Sequence, residues 1–391
     1  MNSNYLMNNY GTRDLSIVKG EGSWLWDDQG NRYLDAVMGI AVCSLGHAHP
    51  EIAEVLAEQS KKLVHCSNLF LIPEQQELAA KLCSVTGMTS TFFCNSGAEA
   101  NEAAIKLSRL YARKKGVDNP TVITTHGAFH GRTLATISAS GSEKVQKGFE
   151  PLVQDFIHVP YNDIEAVAVH KNNDSVVAVM VEPVQGEAGV VIPDAGYLRT
   201  LRKICDDNDW LLILDEVQTG NGRTGSYFAS VGASVKPDVL TTAKGLGNGL
   251  PIGACLAGEK AAELFAPGSH GTTFGGNPLV CAVANKVFDI IERDHIAANA
   301  SQIGNFINES LAENLADTAS VLEVRNAGLM IGIEMDKACG ELVGIGREHG
   351  ILINVTGGNR VRLLPALNMT REDADFLIDR LTKTIKQWEK S

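Results

Sequence analysis

From about residue 50 to residue 290, short apolar runs rich in branched side chains alternate with stretches of helical periodicity. The clearest runs are Thr91-Phe92-Phe93-Cys94, Val122-Ile123-Thr124, Val176-Val177-Ala178-Val179-Met180-Val181, Leu211-Leu212-Ile213-Leu214 and Val239-Leu240-Thr241. The longest of them have no polar face, so they need a sheet covered on both sides. With helices between them, that means a mostly parallel sheet of the α/β class. The flanks read differently. Residues 22–27 and 32–35 form a hairpin pattern around the turn Asp28-Gln29-Gly30-Asn31. Long helices are expected at 278–294 and about 301–315, strands at 331–335 and 361–364, and a final helix after Thr370. Thr370 and Asp373 have capping-box spacing, and Leu377, Leu381, Ile385 and Trp388 fall on one face of that helix. A chain of 391 residues exceeds one ordinary core. The expected division is a large domain over 46–290 and a smaller α+β domain built from 1–45 and 291–391.

Two strand-like runs end in charged residues. Asp215 closes Trp210-Leu211-Leu212-Ile213-Leu214, and Lys244 follows Val239-Leu240-Thr241-Thr242-Ala243 and opens a glycine-rich stretch. Both should emerge at strand carboxyl ends, where open α/β sheets bind ligands. A lysine desolvated there loses basicity relative to its reference pKa of about 10.4 and becomes a nucleophilic amine. A nearby aspartate is the partner a pyridinium nitrogen needs. The pair meets the requirement of pyridoxal phosphate chemistry, a Schiff-base lysine with an acid on the ring nitrogen. Asp215-Glu216 could instead end a Walker B strand, but no G-x-x-x-x-G-K-[ST] loop occurs in the chain. A lone Lys244 would read as a surface residue; the pairing with Asp215 argues otherwise.

Other segments carry weaker signals. Cys94-Asn95-Ser96-Gly97-Ala98-Glu99 follows a strand and opens a helix. Ser96 and Glu99 fit a capping box, and small Gly97 and Ala98 leave backbone N–H groups open to an anion. Gly220-Asn221-Gly222-Arg223-Thr224-Gly225 spells G-x-G-x-x-G, yet it starts well after its strand and no convincing helix follows, which argues against a dinucleotide oxidoreductase. His126 and His130 have a spacing that could hold zinc on a helix, but Gly127 and Gly131 oppose a regular one. Phe129 beside Arg132 reads better as an aromatic surface next to a carboxylate binder. His47-Ala48-His49-Pro50 reads as turn and helix-start chemistry. After the run at 176–181, Glu187 in Glu182-Pro183-Val184-Gln185-Gly186-Glu187 is a site candidate, with Arg362 as a distant partner.

The net charge of −12, from 34 basic and 46 acidic residues, argues against nucleic acid or an anionic membrane as partner. No apolar stretch approaches the roughly 20 residues of a membrane helix. Met1 to Tyr10 show no basic-then-apolar signal pattern, and the eight cysteines are scattered without C-x-x-C. A cytoplasmic protein with reduced thiols and no metal is expected.

Taken in order, several segments resemble the class III aminotransferases, the ω-aminotransferase branch of fold type I pyridoxal phosphate enzymes. They are Ser96-Gly97-Ala98-Glu99-Ala100-Asn101, Phe129-His130-Gly131-Arg132, Glu182 to Glu187, Leu214-Asp215-Glu216-Val217-Gln218-Thr219-Gly220, Ala243-Lys244-Gly245 and Gly271-Thr272-Thr273-Phe274-Gly275-Gly276-Asn277-Pro278. The likeness runs from about residue 10 to the C-terminus. It implies that Lys244 carries pyridoxal 5'-phosphate, Asp215 pairs with its ring nitrogen, Gln218 bonds the ring 3-oxygen and Phe129 stacks on the ring. Gly97 and Ala98 would hold the phosphate, with Thr273 reaching it from the partner of a homodimer. Arg132 and Thr272 would face the amine donor, Arg362 would grip the α-carboxylate of 2-oxoglutarate, and Glu187 would cover Arg362 in the first half-reaction. The branch matched best implies transfer of the terminal amine of N2-acetyl-L-ornithine to 2-oxoglutarate, a step of arginine biosynthesis. Related donors are N-succinyl-diaminopimelate, succinylornithine and 4-aminobutyrate. Phe274 stands where the family commonly has tyrosine, and Asn248 interrupts its glycine run. Ile40 aligns with a substrate-binding tyrosine of ornithine-using members, which weighs against plain ornithine.

Overall fold

The computed structural model describes residues 5–11 and 13–391. At its centre is a seven-stranded sheet. Its strands, in spatial order, are Ser90–Cys94, Gly253–Ala257, Val239–Thr242, Leu211–Asp215, Val176–Val181, Thr121–Thr125 and Phe156–Val159. Gly253–Ala257 runs antiparallel to both of its neighbours, and the other pairings are parallel. Sequence patterning misses this strand because Gly-Ala-Cys-Leu-Ala offers no β-branched or aromatic residue. Val176–Val181 and Leu211–Asp215 are buried throughout, as their all-apolar faces require.

Residues near both termini meet in one four-stranded sheet. Ile17–Glu21, Trp24–Asp27 and Arg32–Asp35 form antiparallel pairs, and Ile351–Leu352 adds in parallel to Arg32–Asp35. A second four-stranded sheet holds Val321–Ala327, Met330–Met335, Arg360–Leu363 and Asn354–Thr356. Apolar packing is continuous between these parts, with Leu78, Leu240, Val280, Leu311, Ile333 and Leu377 in a single buried cluster.

Two helices differ from the sequence reading. The helix expected near 301 begins at Ile296, directly after His295 in a left-handed conformation (φ 51°). The break is therefore one backbone kink, and Ile296, Ala300, Ile303, Ile307 and Leu311 continue the buried stripe. The final helix, Arg371–Glu389, has the expected N-cap: the Thr370 hydroxyl accepts the Asp373 N–H at 3.1 Å. The Asp373 carboxylate does not return to Thr370. It accepts the Trp24 indole N–H at 2.9 Å and ties the N-terminal hairpin to the last helix.

Candidate active site

The parallel register explains why distant residues converge. Asp215 lies level with Thr241 on the adjacent strand, and Leu214 is level with Val181, so Glu182 comes beside Asp215 and Lys244 follows three residues after Thr241. The loop after Thr121–Thr125 and the segment after Ser90–Cys94 leave from the same edge of the sheet. Together they enclose a cavity of about 380 Å³. Of the residues singled out in the sequence, Lys244, Asp215, Gly97, Ala98, Phe129, Gln218, Arg132 and Glu187 line it.

Lys244 occupies a short helical turn, and its backbone is left-handed at φ 46°. A lysine gains nothing locally from that conformation; such strain persists where the surroundings impose it, as at functional sites. Its side chain is half-buried on the cavity wall, and desolvation of the amine lowers its pKa despite the opposing pull of Glu187. Asp215 is fixed from several sides. One oxygen accepts from the Asn101 amide at 2.7 Å and meets the His130 ring nitrogen Nδ1 at 2.8 Å. The other accepts the Val217 N–H at 3.0 Å. Asn101 is itself oriented, since its amide oxygen accepts the Thr241 hydroxyl at 2.7 Å.

The helix Gly97–Lys114 turns its N-terminus to the same cavity. Ser96 caps it by accepting the Glu99 N–H at 3.2 Å. The Glu99 carboxylate does not return to Ser96 as in a full capping box; it takes the Asn95 N–H at 2.7 Å. Gly97 is required by packing: a Cβ there would come within 2.6 Å of Val217 Cγ1. Phe129 is held by its N–H, which donates to Glu182 at 3.1 Å, and the Arg132 guanidinium lies 5.4 Å from its ring centre. Burial, reinforced by the Asp215 charge, pushes the Glu182 carboxyl well above its ordinary range.

Glu187 meets Arg362 at 2.6 Å, and the Gln218 amide approaches the same carboxylate oxygen at 3.4 Å. Burial alone would push the Glu187 carboxyl up; the Arg362 charge and hydrogen bond outweigh it and hold the pKa low. Arg362 is 1% exposed and lies behind Glu187, not on the cavity wall. A second bond from its guanidinium goes to the Asn354 side chain at 3.1 Å, and its Nε has no partner among the described residues.

Two of the residues singled out in the sequence stand apart from this cavity within their own chain. Thr272 does not line this cavity; it borders a neighbouring one with Glu99, Glu102, Lys106 and His270, and accepts from the Asn95 amide at 3.1 Å. Thr273 is exposed on the same loop and also stands apart from Lys244. His126 and His130 diverge, the first stacking on His158 at 6.0 Å and the second turning to Asp215. Likewise His49 gives no side-chain cap to the helix Pro50–Lys62, while His47 bonds the Asp35 carboxylate at 2.9 Å. Asn101, His130, Glu182 and Thr241 were missed as site residues. The signal available for Asn101 was its place one helical turn after Gly97; for Glu182 it was its position level with Asp215.

The family profile described as Aminotransferase class-III matches residues 5–385. An acetylornithine aminotransferase of Nitrosomonas europaea is 53% identical over 97% of both chains. A solved ornithine aminotransferase of Toxoplasma gondii, with partial occupancy of pyridoxal phosphate at its active site, superposes with a TM-score of 0.95 at 32% identity, covering 99% of this chain and 94% of that one. The N-acetylornithine aminotransferase of Stenotrophomonas maltophilia gives 0.85 at 36% identity, over 97% and 98% of the two chains. The chain belongs to the class III aminotransferases, of fold type I, and its cofactor is pyridoxal phosphate.

The cavity suits that cofactor on structural grounds. It offers a desolvated amine of lowered basicity, a carboxylate fixed by hydrogen bonds, a capped helix N-terminus and a Gln218 amide oxygen without a partner among the described residues. When bound, pyridoxal phosphate supplies a carbonyl that captures amines and a ring that accepts the electrons of a broken C–H bond.

Proposed function

We propose that this protein moves the terminal amine of N2-acetyl-L-ornithine to 2-oxoglutarate, yielding N-acetyl-L-glutamate 5-semialdehyde and L-glutamate. The observation that carries the reading is the Glu187–Arg362 pair beside Lys244. An ω-amine donor brings its terminal amine to the cofactor, whereas 2-oxoglutarate brings its α-carbon and needs a cation for the adjacent carboxylate. Arg362 masked by Glu187 suits the first substrate, and Arg362 released suits the second. The charge-assisted pair is close enough to shield the guanidinium and rests on one short contact that a substrate carboxylate can replace. Near-half identity to acetylornithine aminotransferases supports the choice of donor.

In this reading Lys244 would hold the cofactor, and its amine would take the proton released from the donor carbon. Asp215 keeps the ring nitrogen protonated, Phe129 stacks on the ring, Gln218 bonds the ring 3-oxygen, and Gly97 and Ala98 bind phosphate. Arg132 grips the donor carboxylate. Thr272 faces the donor, and Thr273 serves the phosphate from the partner of a homodimer. The division at 46–290 against 1–45 with 291–391, and a cytoplasmic location, belong to the same reading. No helix among the described residues is long and apolar enough to cross a membrane.

Stopped-flow rates of the first half-reaction test the donor. Acetylornithine should react fastest among acetylornithine, N-succinyl-diaminopimelate, succinylornithine, 4-aminobutyrate and ornithine. A faster 4-aminobutyrate would overturn the donor and leave the aminotransferase class standing. The alternative donors are N-succinyl-diaminopimelate, succinylornithine and 4-aminobutyrate.

A further inference from the structure

Glu187 sits on a tight turn whose conformation is imposed from outside. Gln185 and Val191 close the turn with paired backbone bonds of 3.1 and 3.0 Å. On its return limb Gly189 has φ 98° and Val190 has φ 60°, a left-handed conformation that costs a β-branched residue free energy. Val190 is fully buried. The turn lies on the sheet Val321–Ala327, Met330–Met335, Arg360–Leu363, whose register puts Arg325, Gly332 and Arg362 in one row. Gly332 is the open place in that row: a Cβ there would meet the Gly189 carbonyl oxygen at 2.8 Å.

Arg325, on one side of Gly332, grips the turn. Its guanidinium donates to the Val190 carbonyl at 2.8 Å and the Gly189 carbonyl at 2.8 Å. Glu334 orients it at 2.8 Å and also bonds Arg360 at 2.8 Å, and Arg360 packs where a side chain on Gly189 would go. Arg362, on the other side of Gly332, receives Glu187. Two arginines of one row therefore hold opposite ends of the same strained turn.

We infer that Arg325 is a positioning residue for substrate selection, holding the 185–191 turn so that Glu187 stays over Arg362 while the amine donor reacts. The inference rests on the Glu187–Arg362 reading given above. Loosening the clamp frees the turn to relax at Val190, uncovers Arg362 and favours substrates that carry an α-carboxylate next to the reacting carbon.

The experiment compares first half-reaction rates of glutamate and acetylornithine in wild type, Arg325→Met, Glu187→Ala and the double variant. Binding of glutarate, an unreactive dicarboxylate, is measured by calorimetry on the same proteins. Arg325→Met should move the rate ratio about tenfold toward glutamate and tighten glutarate, and it should change neither further when Glu187 is already absent, as contacting networks behave in such cycles. Equal loss for both donors, or the same shift in both backgrounds, assigns Arg325 a merely structural role and overturns the inference. A Glu187→Ala protein with an unchanged ratio defeats the underlying selection reading instead. If Arg325→Met does not yield folded protein, Glu334→Gln keeps a hydrogen-bond acceptor and removes the orienting charge. It should shift the ratio the same way by about threefold, and no shift overturns the inference.

Discussion

At the scale of single residues, Asp215 is the end of a buried chain running from the Thr241 hydroxyl through Asn101. The chain fixes which way the Asn101 amide points, because its oxygen is taken by a donor and its nitrogen must then donate to Asp215. His130 adds a second contact on the same carboxylate oxygen. Removing the amide should leave the buried Thr241 hydroxyl and His130 carbonyl without that partner and Asp215 short of one donor. Asn101→Ala is therefore expected to lower unfolding free energy by about 1–3 kcal/mol in denaturant titration and to weaken cofactor retention. Asp215→Asn should keep the fold and bound cofactor but lose at least about a hundredfold in turnover. Near-normal turnover would make Asp215 a structural acid. The sequence made Asp215 and Lys244 legible because each closes a strand run. It could not reveal Asn101 or His130 as supports, since their roles depend on how a helix and a loop pack over strands more than 80 positions away.

At the scale of elements, strands with two apolar faces were readable and the one made of small residues was not. Local pattern reports burial on both sides only when the side chains are large enough to show it. His47 illustrates the same limit at a hairpin. Read from sequence it belongs to a turn, but in the fold its backbone bridges that of Gly22 and its ring nitrogen Nε2 meets the Asp35 carboxylate. The Asp35 hydrogen bond, with a smaller contribution from Cys43, raises its pKa from 6.5 to about 9. A raised folded-state value means the pair stabilises fully below the unfolded pKa and loses that contribution as pH climbs toward the folded one. The stability difference between wild type and His47→Gln should thus be greatest below pH 6.5 and shrink by pH 9. The change should be on the order of 1–2 kcal/mol once partial solvent screening is allowed for. Chemical denaturation across that range measures it; a difference that grew with pH would show that His47 is buried as a neutral ring.

At the scale of the whole molecule, the loops that carry Thr272 and Thr273 stand outside the cavity of their own chain, and an apolar surface lies close by. Asn68 bonds the Thr272 carbonyl at 3.3 Å, His65 packs on Phe274 at 5.6 Å, and Leu69, Phe70 and Leu71 are 86%, 67% and 88% exposed. Three consecutive large apolar residues that open to water are unusual on a monomer surface and typical of an interface. A twofold dimer would bury this patch against its own copy and deliver the Thr273 loop to the neighbouring phosphate seat in one movement, because a self-complementary contact repeats each interaction twice. Sedimentation equilibrium at low micromolar concentration should therefore find a dimer. Leu69→Asp combined with Phe70→Lys should yield monomers that lose cofactor far more readily than wild type, read from the visible absorbance after gel filtration. An active, cofactor-loaded monomer would separate the exposed patch from the chemistry and leave the phosphate seat to be completed by Gly97 and Ala98 alone.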